Sequence, residues 1–218
     1  TELGATWFVG LNYKNVINLI DNYHEGDICL TNDPYSGYVC THSPDMHIWK
    51  PVFHDGEIIC FVVGHVHNTD VGGAVPASLS RTLSEVHQEG IRIPPLKLRN
   101  EGVFNDTLVE MLKLNVRIPD VFMGDIGAQI SACTIGARRV RELASRYQSA
   151  KLKFIFSALL DRSEHLTRNA LQEIPDGTYV YQDYLDNDGV DLDKPVKICV
   201  AVTISGDTLH CDFTGTDP

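Results

Sequence analysis

The sequence predicts an α+β fold, with a mixed β-hairpin and helix part at the N-terminal side, long helices in the middle and antiparallel strands at the end. Three observations support this class: short strand-like and helical segments share the first hundred residues, two long stretches of helical periodicity follow, and strand-like runs close the chain. We therefore expect a metal-site α+β region over residues 1–105, a helical region over 106–175 and the start of a β-rich region over 176–218.

The first region begins with a helical pattern and continues into a strand. Apolar residues between Asn15 and Tyr23 recur at helical spacing, and Gly26 follows as a stop signal before the strand-like run Ile28 to Leu30. The turn-forming residues 32–37 come next.

A β-hairpin is expected in the middle of this region. The runs 47–53 and 57–65 alternate like strands and are joined by His54-Asp55-Gly56, which has the residue types of a hairpin turn. Residues 66–105 are rich in Gly, Pro and polar residues, and they are too long for an ordinary connection. They are either a functional loop region or an insertion that follows the surface.

The remaining elements are predicted from periodicity and turn residues. We expect helices from about Asp106, from Pro119 to about Tyr147 and over about 151–173, followed by strands over 178–185, 196–204 and 208–213.

Composition and charge exclude several functional classes. With 218 residues, 43% hydrophobic and 22% charged, the chain is long enough to fold into one large core or two small ones. Its net charge of -11 has the wrong sign for binding a phosphate backbone, so nucleic acid is not an expected partner. The longest apolar run is far shorter than the ~20 residues of a membrane helix. Both ends of the chain lie in mid-pattern, which predicts an internal portion of a longer polypeptide.

The six cysteines predict free thiols in a reducing compartment. None of them forms a C-x-x-C pair, and several stand inside apolar strand-like runs. Buried thiols explain this pattern better than disulfides do, and we therefore expect a cytoplasmic protein.

Histidine is the residue type that points to chemistry. Five of the nine histidines fall between His42 and His67, with Asp45 among them and Asp70 just beyond. A hairpin folds its two ends together, so His42, Asp45, His67 and Asp70 can converge, and imidazole with carboxylate suits a divalent metal. Histidines two apart on a strand are equally compatible with half-exposed β positions. We interpret the other two hairpin histidines, His47 and His54, as strand-face and turn residues.

The segments after the hairpin offer weaker signals. Gly72 and Gly73 allow either a close approach of the backbone to a ligand or an ordinary tight turn. Glu85 and Glu89 are one helical turn apart, which suits acid–base chemistry but is more typical of a solvated face. The sequence contains no G-x-x-x-x-G-K-[ST], G-x-G-x-x-G or G-x-S-x-G motif, so we expect neither a phosphate-binding loop nor a serine nucleophile in this chain.

Several motifs together resemble a known family. Gly-Asp-Ile-Cys-Leu-Thr-Asn-Asp-Pro-Tyr at 26–35, Thr-His-Ser-Pro-Asp at 41–45, the segments 51–57 and 67–73, Gln-Glu-Gly-Ile-Arg-Ile-Pro-Pro at 88–95, Asn-Val-Arg at 115–117 and Asp-Phe-Thr-Gly-Thr at 212–216 occur in this order along nearly the whole chain. By these motifs the sequence is similar to the hydantoinase B/oxoprolinase family.

This resemblance implies a metal-bearing subunit of ATP-dependent enzymes that open hydantoins, oxoproline or lactams. A hydantoinase A-like partner would bind ATP and magnesium, and the other segments of the same subunit would complete the structure. His42 and His67 correspond to two ligands of a divalent metal, zinc or manganese, and the third, an aspartate, is expected upstream of Thr1, with Asp45 as the fallback. Asp70 would orient the attacking water or the substrate.

One further expectation concerns the substrate, and two departures from the family pattern bear on it. Gly72, Gly73 and Glu89 are expected to contact the substrate. The sequence departs from the family pattern by about two extra residues between Asp33 and His42 and by Asn68 in place of a second histidine, whose work His65 could do.

Three functional hypotheses follow. The first is hydrolysis, in which a metal-bound water attacks a carbonyl that the partner has activated, and in which the chain alone is inert. The second is a subunit of an acetone or acetophenone carboxylase acting on a ketone, and the third is a non-catalytic scaffold fragment.

Overall fold

The computed structural model describes residues 11–78 and 80–217 and confirms the α+β class. The chain divides into two compact units, one ending at Leu152 and the other beginning at Lys153. The three regions predicted from the sequence stay predictions.

The first unit contains a five-stranded antiparallel sheet whose strands are ordered β3-β2-β1-β4-β5. Its strands are β1 (Ile28–Thr31), β2 (Asp45–His54), β3 (Glu57–His67), β4 (Leu96–Asn100) and β5 (Val103–Phe104). The helices are α1 (Lys14–Ile17), α2 (Asp106–Asn115) and α3 (Pro119–Tyr147), and short 3₁₀ turns cover Pro76–Ser78 and Val86–Gln88. Helix α1 is shorter than the periodicity predicts, and β4 and β5 lie within the segment expected to be a loop or insertion.

The predicted hairpin is confirmed, and it extends two residues further at its open end. Asp55 and Gly56 have φ of 53° and 79°, the left-handed conformation that a tight two-residue hairpin turn needs. The register pairs His54 with Glu57 at the turn and Asp45 with His67 at the other end.

Strand β2 is covered on both faces, so its first eight residues are buried. On one face Met46 and Ile48 pack with α3, and Gln129 Nε2 donates a hydrogen bond of 2.8 Å to the Met46 carbonyl. On the other face Trp49 belongs to a smaller cluster with Cys29 and their neighbours. Because both faces of β2 are covered, its residues are buried continuously instead of alternating between buried and exposed.

The starts of α2 and α3 follow local sequence signals. Asn105 caps α2, because its side chain accepts a hydrogen bond of 3.1 Å from the Leu108 amide, and Pro119 occupies the first turn of α3. Helix α4 (Ser149–Gln172) follows one residue after α3 and runs into the second unit.

The second unit contains a three-stranded antiparallel sheet in the order β6-β7-β8. The strands are β6 (Gly177–Leu185), β7 (Val196–Ser205) and β8 (Thr208–Asp212), as the sequence predicts. All nine residues of β6 and all five of β8 are exposed, and Ile204 of β7 is buried.

Two predictions about the class of protein can be compared with the described residues. The six cysteines are free thiols, but the expected burial holds only for Cys29, Cys40 and Cys133, because Cys60 and Cys199 are half-buried and Cys211 is exposed. None of the helices in residues 11–78 and 80–217 has the length and hydropathy needed to cross a bilayer.

Candidate metal centre

The open end of the β2–β3 hairpin brings an aspartate and a histidine together. Asp45 is the first residue of β2 and His67 the last of β3, and the antiparallel register pairs them directly. The amide of Asn68 donates a hydrogen bond of 2.8 Å to the Pro44 carbonyl, which holds the two chain segments together just outside the pair. Cross-strand pairing therefore places side by side two potential metal ligands that are distant in sequence.

His42 joins this pair through a turn before β2. The Asp45 amide donates a hydrogen bond of 3.1 Å to the His42 carbonyl, and this turn directs the imidazole back toward the strand. His42 Nδ1 lies 2.8 Å from Asp45 Oδ2, and His67 Nδ1 lies 3.2 Å from Asp45 Oδ1. The two imidazole rings are 4.9 Å apart between centroids. The structure thus brings together His42, Asp45 and His67 from the set that the sequence predicts to converge.

Asp45 is the charged centre of the group. Its side chain is buried, and it also accepts a hydrogen bond of 2.8 Å from Thr41 Oγ1 and lies 3.1 Å from His65 Nε2. Burial by itself raises the pKa of this carboxyl. The hydrogen bonds from His65 and Thr41, with the charges of His42 and His65, outweigh that effect and hold the pKa below its ordinary value. Asp45 is therefore ionised at neutral pH and gives the three-residue cluster a negative charge.

The residues present fit a divalent metal. One potential ligand atom from each of His42, Asp45 and His67 lies within 4.8 Å of the others. Two imidazoles and a carboxylate form a donor set that zinc and similar metals accept, and three protein ligands leave a coordination position open. The aspartate ligand expected upstream of Thr1 stays a prediction, and Asp45 is the carboxylate of this group among the described residues.

A second histidine pair lies directly behind this group. His47 and His65 are cross-strand neighbours with ring centroids 4.8 Å apart, and Tyr13 Oη is 2.6 Å from His47 Nδ1. Burial, with the nearby His65, lowers the pKa of His47 to about 3, so its imidazole is neutral at pH 7. Strand alternation alone did not indicate that this histidine would be fully buried.

Asp70 lies outside the three-residue group. It is 4% exposed, and its Oδ1 accepts hydrogen bonds from the amides of Gly72 (2.9 Å) and Arg117 (3.2 Å). Its Oδ2 accepts from the amide of Ala77 (3.1 Å) and from Arg117 Nη1 (2.9 Å). Burial raises the pKa of Asp70, but these backbone and guanidinium donors outweigh it and lower the pKa. The contact between Arg117 and Asp70 was not indicated by the sequence pattern.

The paired glycines approach the backbone of the chain itself. Gly72 and Gly73 have φ of 89° and 81°, and a Cβ at these positions would overlap the carbonyl oxygens of Asn115 and Gln88. Arg117 also donates to their carbonyls, from Nη1 to Gly72 at 3.0 Å and from Nη2 to Gly73 at 2.6 Å. Glycine is required here because other chain segments leave no room for a side chain.

Glu89 contacts the segment that carries His42. Its Oε2 accepts a hydrogen bond of 3.0 Å from the Ser43 amide, while the buried Asn32 donates from Nδ2 to the Ser43 carbonyl at 2.7 Å. A cavity of about 230 Å³ adjoins this point. It is lined by Pro34, Tyr35, Thr41, Leu83, Ser84, Glu85, Val86 and Glu89. Because Thr41 also contacts His42 and Asp45, the cavity lies beside the candidate metal ligands.

A family model and several known proteins match this chain. A family model described as hydantoinase B/oxoprolinase matches residues 5–218. One subunit of the putative D-/L-hydantoinase of Pseudomonas sp. (strain NS671) is 34% identical over 203 residues, which cover 91% of this chain and 34% of the relative. The beta subunit of the caprolactamase of Pseudomonas jessenii is 35% identical over 190 residues, covering 87% of this chain and 32% of the relative.

Solved structures share the fold. The crystal structure of the ATP-dependent caprolactamase from Pseudomonas jessenii superposes with a TM-score of 0.83 at 32% identity, over 94% of this chain and 36% of that chain. A nucleotide-free acetone carboxylase structure has a TM-score of 0.72 at 24% identity, over 88% of this chain and 27% of that chain, which shows the fold alone. The chain spans about a third of the length of the hydantoinase and caprolactamase relatives that it matches.

Proposed function

The chain belongs to the hydantoinase B/oxoprolinase family, and we propose that it forms part of the metal-bearing subunit of an ATP-dependent cyclic amide hydrolase. The observation that carries the proposal is the convergence of potential ligand atoms from His42, Asp45 and His67 within 4.8 Å. The names of the relatives support a hydantoin, an oxoproline or a lactam as the ring that is opened.

His42, His67 and Asp45 are the residues that would hold the metal. When bound, a divalent cation such as zinc or manganese polarises a carbonyl and lowers the pKa of a coordinated water to about 7. The ionised Asp45 would offset part of the positive charge of this cation. His65 and Thr41 fix the orientation of its two oxygens, as residues around metal ligands commonly do.

The substrate is proposed to bind in the cavity beside Thr41, where its carbonyl could reach the metal ligands. Catalysis by Asp70 and substrate contacts by Gly72, Gly73 and Glu89 stay predictions. The contacts that these residues make within the chain favour a different role, in which they hold the segments that carry the metal ligands.

A partner is proposed to supply ATP. The sequence contains no G-x-x-x-x-G-K-[ST] or G-x-G-x-x-G motif, whereas the superposed caprolactamase is described as ATP-dependent and two relatives are named as subunits. We assign ATP and magnesium to a hydantoinase A-like partner. We also expect the remaining segments of the same subunit to be needed for turnover.

The test is reconstitution with such a partner. Ring opening of hydantoin, 5-oxoproline and caprolactam is measured together with ATP hydrolysis, for the wild type and for His42→Ala and His67→Ala. We expect both variants to lower kcat at least about 100-fold, because each removes one of three metal ligands. The matched control is His24→Ala, which changes an exposed histidine. Unchanged turnover in the His42 and His67 variants would reject the proposal in favour of a scaffold.

A carboxylase is the second candidate, because the acetophenone carboxylase delta subunit of Aromatoleum aromaticum is 24% identical over 91% of this chain. The same assay distinguishes it. ATP-linked consumption of a ketone that requires bicarbonate would replace hydrolysis with carboxylation, while ring opening without bicarbonate would exclude it.

A further inference from the structure

We propose that Glu89 and the Arg117–Asp70 pair are positioning residues that set the spacing of His42 and His67, although Glu89 also lines the cavity proposed for the substrate. This inference rests on the proposed function, since the spacing of the two imidazoles matters only if they share a cation. It is carried by a continuous path of contacts between the two histidine-bearing segments.

The path begins beside His67. Three residues after it, Asp70 forms an ion pair of 2.9 Å with Arg117, and the same guanidinium holds the carbonyls of Gly72 and Gly73. Arg117 lies in the short connection between α2 and α3. The loop that follows β3 is therefore fastened to the junction of two helices, in addition to the strand pairing that holds His67.

The path continues from the glycine loop to the segment that carries Glu89. The Ala74 amide donates a hydrogen bond of 2.8 Å to the Gln88 carbonyl, and the Ile91 amide donates one of 2.9 Å to the Val71 carbonyl. A Cβ at Gly73 would also overlap backbone atoms of Glu89 and Gly90, so the two segments lie in direct backbone contact. A shift of one segment has to move the other.

The path ends beside His42. Glu89 Oε2 accepts from the Ser43 amide, and Asn32 Nδ2 donates both to the Ser43 carbonyl and, at 2.8 Å, to the Ile91 carbonyl. Both polar backbone groups of Ser43 are thus held by hydrogen bonds. The His42 side chain is 29% exposed and contacts Asp45 and Thr41, and its backbone adjoins this fixed segment.

The contacts of Asp70 argue against a direct role in catalysis. A carboxylate offers about four lone-pair sites, and four donors already occupy the two Asp70 oxygens at 2.9–3.2 Å. The residue is 4% exposed, so little of it remains accessible to a substrate or a water.

The test measures metal affinity in the absence of substrate and ATP. Zn²⁺ and Mn²⁺ are titrated calorimetrically into the wild-type protein and into Glu89→Ala and Arg117→Met. We expect dissociation constants about 10- to 100-fold higher in both variants, the usual effect of losing groups that orient metal ligands. A residue that only contacts substrate would change KM and leave the metal affinity unaltered.

Conservative variants distinguish the effect of a lost hydrogen bond from the effect of a lost charge. Glu89→Gln keeps an accepting oxygen for the Ser43 amide and should recover most of the affinity lost in Glu89→Ala. Arg81→Met is the control for Arg117→Met, because it removes the same charge from an exposed residue. Circular dichroism verifies that each variant is folded, and Arg117→Gln, which is polar but removes the charge that pairs with Asp70, replaces Arg117→Met if the latter is unfolded. The combined Glu89→Ala and Arg117→Met variant should lose less than the sum of the single effects, since both act along one path.

Two results would overturn the inference. If the wild type binds either ion and Glu89→Ala and Arg117→Met (or Arg117→Gln) bind it equally well, positioning is wrong while the proposed metal site stands. If the wild type binds neither ion, the proposed function fails and the inference fails with it.

Discussion

The two antiparallel sheets of the molecule differ in burial far more than in backbone pairing. Strands β2 and β3 pair from Asp45–His67 to His54–Glu57, and β6 and β7 pair from Gly177–Ile204 to Leu185–Val196. Yet the first eight residues of β2 are buried, while all nine of β6 are exposed. The two strand pairs are thus similar in backbone pairing, but β2 is buried and β6 is exposed to solvent.

The difference explains why the candidate site lies in the first sheet. There, α3 packs on one face and the Trp49 cluster on the other, so side chains at the end of the hairpin are fixed and partly shielded from water. Shielding strengthens the interaction of Asp45 with its histidine neighbours. A hairpin provides close cross-strand pairs, but a binding site also needs surroundings that hold them.

The largest effect should come from a cavity in the buried strand. Ile48→Ala removes a fully buried side chain from β2, and we expect a loss of about 2–5 kcal/mol in the free energy of unfolding. Ile198→Ala makes the same change on β7, where the side chain is 38% exposed, and should cost only about 1 kcal/mol. Urea unfolding followed by circular dichroism measures both. Equal losses would show that the difference in burial between the two sheets does not control their stability.

A smaller effect is expected from the glycines. Gly72→Ala should destabilise the protein by about 1–3 kcal/mol from backbone strain, and more from overlap with the Asn115 carbonyl. Gly206→Ala also has a positive φ, 58°, but a Cβ there would meet no atom within 4 Å. Its cost should therefore be limited to strain. Thermal unfolding of both variants checks the ranking, and a Gly206→Ala loss as large as that of Gly72→Ala would contradict it.

The smallest effect concerns the pH dependence of stability. The folded-state pKa of His47, about 3, lies below the ordinary value of 6.5. The unfolded state therefore binds more protons between these values, and the contribution of His47 is present above pH 6.5 and is lost as the pH falls toward 3. Between about pH 7.5 and about pH 5.5 this loss amounts to about 1 kcal/mol.

The measurement compares the wild type with His47→Gln in urea at several pH values. The variant should lose less stability on acidification over this window, while His210→Gln, which changes an exposed histidine of β8, should follow the wild type. If the free energy of unfolding of His47→Gln fell with pH as steeply as that of the wild type, the His47 imidazole would not be the group responsible.

Much of the fold could be predicted because its signals are local. The hairpin turn at Asp55-Gly56, the cap at Asn105 and the proline that begins α3 each act within a few residues, and the bounds of the hairpin, α2 and α3 agree closely with them. The approach of His42, Asp45 and His67 could be anticipated as well, since antiparallel pairing necessarily joins the ends of a hairpin.

The contacts that hold the site could not be predicted from the same signals. Arg117 lies 47 positions after Asp70, and Glu89 lies 46 positions after Ser43, so neither spacing indicates a contact. The glycine pair was compatible with a ligand or with a tight turn, and the structure instead shows it against the backbone of Asn115 and Gln88.

By itself, then, the sequence determined the family, the order of strands and helices, and the residue types that can bind a cation. Tertiary structure alone decided that Asp45 lies between the imidazoles as a buried carboxylate and that Asp70 is saturated by Arg117 and backbone amides. The physical reason is that secondary structure depends on neighbours along the chain, whereas the charge, exposure and free lone pairs of a side chain depend on whichever segments fold against it.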